Sequence, residues 1–125
     1  MIPGNFHFDT TKGHIEIRKA HALDCTIDEA FDVDDPHLFK GNINLEKLEN
    51  VYKSHPKEKI PFCLITITCN TSGGQPGSLE NIKAVKKLSD HYGIPVIFVS
   101  ARFAENAYFI KTREEGQSQR SIKEI

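Results

Sequence analysis

Residues 60–68 read IPFCLITIT, and residues 94–99 read IPVIFV. Both runs are nearly all apolar or β-branched and short, the pattern of strands covered on both faces in a parallel sheet. Between them NTSGGQPGS, residues 70–78, supplies a loop of turn formers. Ser78 can cap a helix running to about Tyr92, because Ile82, Val85 and Leu88 line one face while Lys83, Lys86 and Lys87 lie off it. Gly93 suits the position just past the last turn. Strand, loop, helix, tight turn and strand predict a βαβ unit over about 60–99, with ligands favoured at the carboxyl ends of its two strands.

Working outward, Asn44 is a good N-cap, and Leu45, Leu48, Val51 and Tyr52 recur along one side, predicting a helix that stops before Pro56. A short strand is expected near Ala20 to Thr26. The acidic stretch IDEAFDVDDPHLFKGN, residues 27–42, is broken by Pro36 and Gly41 and reads as surface connection. The first fourteen residues show neither helical nor strand period, with Pro3, Gly4, Asn5 and Gly13 around Phe6 and Phe8, and read as a loop. Beyond the second strand, Ser100 to Ile125 is expected to be helical or looped and turns polar after Lys111.

A chain of 125 residues is the length of one domain, with 38% apolar residues and a formal charge of −1 from 16 basic and 17 acidic groups. That balance argues against nucleic acid or an anionic membrane as the main partner. No apolar run approaches the ~20 residues of a membrane span, and MIPGNFHFD lacks the basic start and apolar stretch of a signal peptide. A soluble, cytoplasmic protein is the expectation. Cys25, Cys63 and Cys69 have no C-x-x-C spacing and are expected to be reduced packing residues. The six histidines are scattered without metal-site spacing, Asp32, Asp34 and Asp35 lack the rest of an EF-hand, and Ser72 and Ser78 lack a G-x-S-x-G setting. No metal site or activated nucleophile is expected.

The predicted sheet edge carries the candidate chemistry. Two loops leave it, Asn70 to Gly77 and Ser100 to Asn106. Gly73-Gly74 would let backbone N–H groups approach a ligand and the following helix start would favour an anion, although neither phosphate-loop pattern is present and a plain strand-to-helix turn is the competing reading. Arg102 is the arginine adjacent to this edge. Phe8 followed by Asp9 is either a stacking face with an acid or base beside it, or a tucked ring and a turn-forming carboxylate.

At these residues the chain resembles a known family. GNFHFDTTKGH at 4–14, FKGNINLEKLE at 39–49, TITCNTSGGQPGSLENIKAV at 66–85 and, above all, SARFAENAYFIKTRE at 100–114 are similar to the β-eliminating lyases that use pyridoxal 5'-phosphate, the family of tryptophanase and tyrosine phenol-lyase. The likeness runs over nearly the whole chain. FDTT and SARFAENAYFIK resemble the tryptophanase branch more than the phenol-lyase branch, which has Thr where Asp9 stands. The resemblance implies an α/β fold, residues 1–125 being part of the aminotransferase-like (fold type I), cofactor-binding large domain, with a mostly parallel sheet. It implies an amino-acid substrate, the breakdown of L-tryptophan to indole, pyruvate and ammonia, and a potassium-activated homotetramer.

Carried over residue by residue, the resemblance has Phe8 stack on the pyridine ring. Asp9 faces the aromatic leaving group, Asn70 hydrogen-bonds the phenolic oxygen, and Arg102 lies close to that oxygen. Val99 stands where the family has the aspartate that pairs with the pyridine nitrogen, so the carbanion at the substrate α-carbon is expected to lose stabilisation. A charge-assisted bond of this kind is worth about 1.5–3 kcal/mol. The family's cofactor-binding lysine and its potassium ligand have no counterpart here, so the chain is expected to be an internal piece of a lyase subunit that is inactive by itself. The rival readings are a tyrosine phenol-lyase-like fragment, a non-catalytic binding module holding an anion or partner at Asn70, Gly73, Gly74 and Arg102, and a subunit that acts beside other chains supplying the lysine.

Overall fold

The computed structural model describes residues 1–125. It carries four strands, β1 (Ile2–Gly4), β2 (Ala22–Asp24), β3 (Cys63–Thr66) and β4 (Val96–Val99), and four α-helices, α1 (Asp9–Ile17), α2 (Leu45–Ser54), α3 (Leu79–His91) and α4 (Phe103–Arg113). The strands form one sheet in the order β2-β1-β3-β4, every pair parallel. The predicted βαβ unit is β3-α3-β4, in register from Cys63 opposite Val96 to Thr66 opposite Val99.

Registered partners in a parallel pair share a face. Cys63, Ile65, Val96 and Phe98 therefore point one way, where Leu48 and Tyr52 of α2, Val85 of α3 and Ile94 close the main core around Cys63 and Ile65. Leu64, Thr66, Ile97 and Val99 point the other way, where Ile15 of α1 packs with Ile2 and Leu64. The helix caps follow the sequence expectation: the Asn44 side chain accepts from the N–H groups of Glu46 and Lys47, Ser78 accepts from Asn81 N–H, and Gly93 takes a φ of 65°. Cys25, Cys63 and Cys69 are free and buried. Burial pushes the thiols of Cys25 and Cys63 up to about 11 and about 12 respectively, so both are inert packing groups. No helix is long and apolar enough to cross a membrane.

Two expectations are corrected. Residues 1–14 are not a loop: they hold an interior strand of the sheet and most of α1. Strand β1 escapes pattern reading because Pro3 and Gly4 are poor strand formers. It is held by its neighbours instead. It runs beside β2 from Ile2 opposite Ala22 to Gly4 opposite Asp24, and meets β3 where Gly4 lies opposite Leu64. Helix α1 is masked by Thr10, Thr11 and Gly13, all weak helix formers, and only Ile15 of its residues is buried. The second correction concerns 94–99. Strand β4 is an edge, and Ile97 and Phe98 are 44% and 43% exposed, because no element of this chain covers its outer side. Phe98 opens onto an apolar groove of about 410 Å³ with Ile67, Phe103, Ala107, Ile110 and Ile125.

Beyond Gly4 the ladder passes to a side chain. The Asn5 carboxamide accepts from Thr66 N–H at 2.8 Å and donates to the Thr66 and Gly41 carbonyls, each at 2.9 Å. Removing it by Asn5→Ala leaves these buried groups unpaired, and the expected loss is about 2–4 kcal/mol of stability, read as a lower urea midpoint at unchanged slope. Lys83→Ala, on the exposed side of α3, is expected to change stability by less than about 0.5 kcal/mol.

Candidate functional site

The carboxyl ends of β3 and β4 and the start of α1 meet around a cavity of about 90 Å³ lined by Phe8, Thr66, Thr68, Asn70, Val99, Ala101 and Arg102. Phe8, Asn70, Val99 and Arg102, singled out separately in the sequence, are thus brought together from three segments. The chain position of each has a local cause. Phe8 is the extended residue immediately before α1, with φ −63° and ψ 145°. Asn70 opens the single 3-10 turn Asn70–Ser72 after β3. Val99 ends β4, and Arg102 directly precedes α4, its N–H donating to the Ile67 carbonyl so that the two loops stay adjacent. The ion pairs of lysine in this chain lie elsewhere, Lys47 with Asp28, Lys53 with Glu49 and Lys86 with Asp90. The Arg102 guanidinium remains free for a ligand.

Asp9 is not among the lining residues. It is the first residue of α1, exposed, and its carboxylate accepts from Thr10 N–H. At Gly73-Gly74 the chain makes a strand-to-helix turn. Both glycines take positive φ, 72° and 75°, and Gly74 N–H bonds back to the Cys69 carbonyl, so the loop closes on itself. The start of α3 is also taken from within: the Glu114 carboxylate accepts from Leu79 and Glu80 N–H at 2.8 and 2.9 Å, and Ser78 Oγ from Asn81 N–H. An incoming anion would have to displace a resident carboxylate there.

Several contributors carried no chemical signature in the sequence. His7 is buried, with Nδ1 2.6 Å from Asp24 Oδ1, and its backbone N–H donates to the same oxygen. Asn5 and His7 together pin the segment that ends in Phe8. The alternation of polar Asn5 and His7 with aromatic Phe6 and Phe8 is the one signal that could have found this. Thr66 also lines the cavity, and its hydroxyl is buried without a partner in the chain.

Fold and site together define an α/β segment with a parallel sheet and a small recess at its carboxyl edge. The beta-eliminating lyase family model matches residues 1–125, and the chain belongs to that family. It is 59% identical over 125 residues to a probable beta-eliminating lyase of Trichomonas vaginalis, covering all of this chain and 27% of that protein. It is 50% identical over 124 residues to a tryptophanase of Salinibacter ruber and 53% identical over 124 residues to one of Rhodobacter capsulatus, covering 99% of this chain and 26% and 27% of those proteins. The chain therefore spans about a quarter of the length of the curated relatives it matches.

The His7–Asp24 pair gives a pH test. Burial by itself raises the Asp24 pKa, but the hydrogen bonds and charge of His7 outweigh it and hold the carboxyl below its ordinary 3.8. A depressed folded-state pKa contributes stability that is fully present above the unfolded value and is lost as pH falls through the folded one. Asp24→Asn is expected to flatten the fall in stability as pH drops below about 4, measured as unfolding midpoint against pH.

Proposed function

We propose that residues 1–125 are part of the cofactor-binding large domain of a tryptophanase-like, pyridoxal-phosphate-dependent lyase, whose parent reaction is β-elimination of L-tryptophan to indole, pyruvate and ammonia. The observation that carries this reading is the convergence of Phe8, Asn70, Val99 and Arg102 on one cavity. The residues fit the cofactor's ring in part: an aromatic face in Phe8, an amide and a guanidinium in Asn70 and Arg102 for the phenolic oxygen, and an unpartnered buried hydroxyl in Thr66. The cavity is well below the roughly 300–1,000 Å³ of a complete ligand site, as suits one wall of a larger pocket.

When bound, pyridoxal phosphate supplies an electron sink for the carbanion formed at the substrate α-carbon. The work of this chain is to orient and tune. Phe8 fixes the plane of the ring by stacking, and its own position is fixed by Asn5 and His7. Asn70 donates its amide to the phenolic oxygen, and the positive charge of Arg102 favours that oxygen as an anion. Asp9, at the start of α1 beside Phe8, faces the aromatic leaving group and assists its proton transfer. Val99 offers the ring nitrogen no charge. The reading extends to a potassium-activated cytoplasmic homotetramer for the whole protein.

The cavity is lined by no lysine, so the 125-residue chain by itself is proposed to be non-catalytic. Incubated with pyridoxal phosphate and L-tryptophan, it is expected to release no indole above the free-cofactor background, and release above background would overturn that statement. Binding is tested with pyridoxamine 5'-phosphate, which lacks the aldehyde that reacts with surface lysines. Val99→Asp is expected to tighten its binding about tenfold by restoring a charge-assisted bond, measured by fluorescence titration. An unchanged affinity would mean that residue 99 does not face the ring nitrogen.

A further inference from the structure

We propose that the Thr66 hydroxyl is the hydrogen-bond partner of the cofactor's ring nitrogen in this chain, donating to it and so leaving that nitrogen uncharged. The proposal rests on the reading of the cavity as the pyridoxal-phosphate ring site. Thr66 and Val99 are register partners at the ends of β3 and β4, so their side chains stand side by side on the α1 face of the sheet, and both line the cavity. Val99 has no polar atom. Of the buried side-chain polar atoms without a partner, His7 Nε2, Thr66 Oγ1 and Gln117 Oε1, only the Thr66 hydroxyl belongs to a residue of this cavity. A buried hydroxyl left unsatisfied is costly, and such a group in a native fold calls for a partner from outside the chain. Threonine on a strand has more than one accessible χ1 rotamer, so its hydroxyl can turn towards the recess without any movement of the backbone.

The chemistry of the two residues then agrees. A carboxylate next to a pyridine nitrogen draws a proton onto it. An alkyl side chain does not, and an unprotonated nitrogen is an acceptor that a neutral hydroxyl can satisfy. The pair Thr66 and Val99 therefore suits a neutral ring, and the two positions are coupled: a carboxylate at 99 would hold a proton on the nitrogen and accept its hydrogen bond, leaving the hydroxyl no lone pair to donate to.

The test compares pyridoxamine 5'-phosphate with the analogue in which a C–H group replaces the ring nitrogen, titrated against the wild-type chain and its variants. The wild type is expected to bind the nitrogen-containing ligand about fivefold more tightly than the carbon analogue, the range of one neutral hydrogen bond. Thr66→Val should abolish that preference and Thr66→Ser should keep it. In the Val99→Asp background Thr66→Val should cost nothing further. The ¹⁵N resonance of the bound ring is expected at the position of an unprotonated pyridine in the wild type, and at that of a pyridinium in Val99→Asp. Equal affinity of the wild type for the two ligands, or a pyridinium resonance in the wild type, overturns the role of Thr66 while leaving the ring site standing. Failure of the wild type to bind either ligand overturns both.

Discussion

The close approach of Gly4 and Asn5 to β3 is the constraint on which the rest of the chain depends. A Cβ at position 4 would lie 2.5 Å from the Leu64 carbonyl oxygen, so only glycine lets the two backbones meet there. One residue later the carboxamide of Asn5 takes both the N–H and the C=O of Thr66, as a neighbouring strand would, and reaches the Gly41 carbonyl as well. The Asn5 carbonyl in turn accepts from the Thr26 hydroxyl. A three-residue strand containing proline would otherwise be a poor member of a sheet. With this join it aligns β2 on one side and β3 on the other, and it sets the direction in which the chain leaves towards His7 and Phe8.

The same device recurs. Asn81 of α3 takes the N–H and C=O of Ile43 at 2.8 and 2.9 Å, and Asn106 of α4 takes those of Gly77, both at 2.9 Å. Each joins a helix or a loop to backbone that has no ladder partner, which is how a chain with short strands and long connections satisfies its buried peptide groups. Glu114 does related work at the start of α3. The loops around the candidate site are thus fixed by side chains bonded to main chain, and the cavity keeps its shape without a second layer of sheet.

Legibility in the sequence followed the physics of each element. The βαβ unit was plain because β3 is buried on both faces and α3 is amphipathic and capped by Ser78 at one end and Gly93 at the other. The capped helix α2 was plain for the same reason. Strand β1 was not, since it owes its place to a glycine contact and an asparagine side chain, neither of which has a period. The exposure of β4 could not be read either: the alternation and the apolar run say that a face is to be covered, not whether the covering segment lies within these residues. The uncovered apolar surface lies at Ile97, Phe98 and Phe103. At the site, Phe8, Arg102 and the loop beginning at Asn70 were singled out by pattern and given roles by family likeness, and Val99 was found through that likeness alone, while Asn5, His7 and Thr66 act through hydrogen bonding and burial, for which residue type alone is no guide.

Dependence on side-chain carboxamides has a consequence for chemical ageing. Hydrolysis of the Asn5 amide to a carboxylate would keep the acceptor for Thr66 N–H but lose the donor, setting negative charge against the carbonyls of Thr66 and Gly41. The reaction requires the following backbone nitrogen to swing onto the side chain, which the folded join prevents. Damage at this position therefore accumulates only in molecules that have opened, and the covalent lifetime of the Asn5 join is set by how often the sheet lets go.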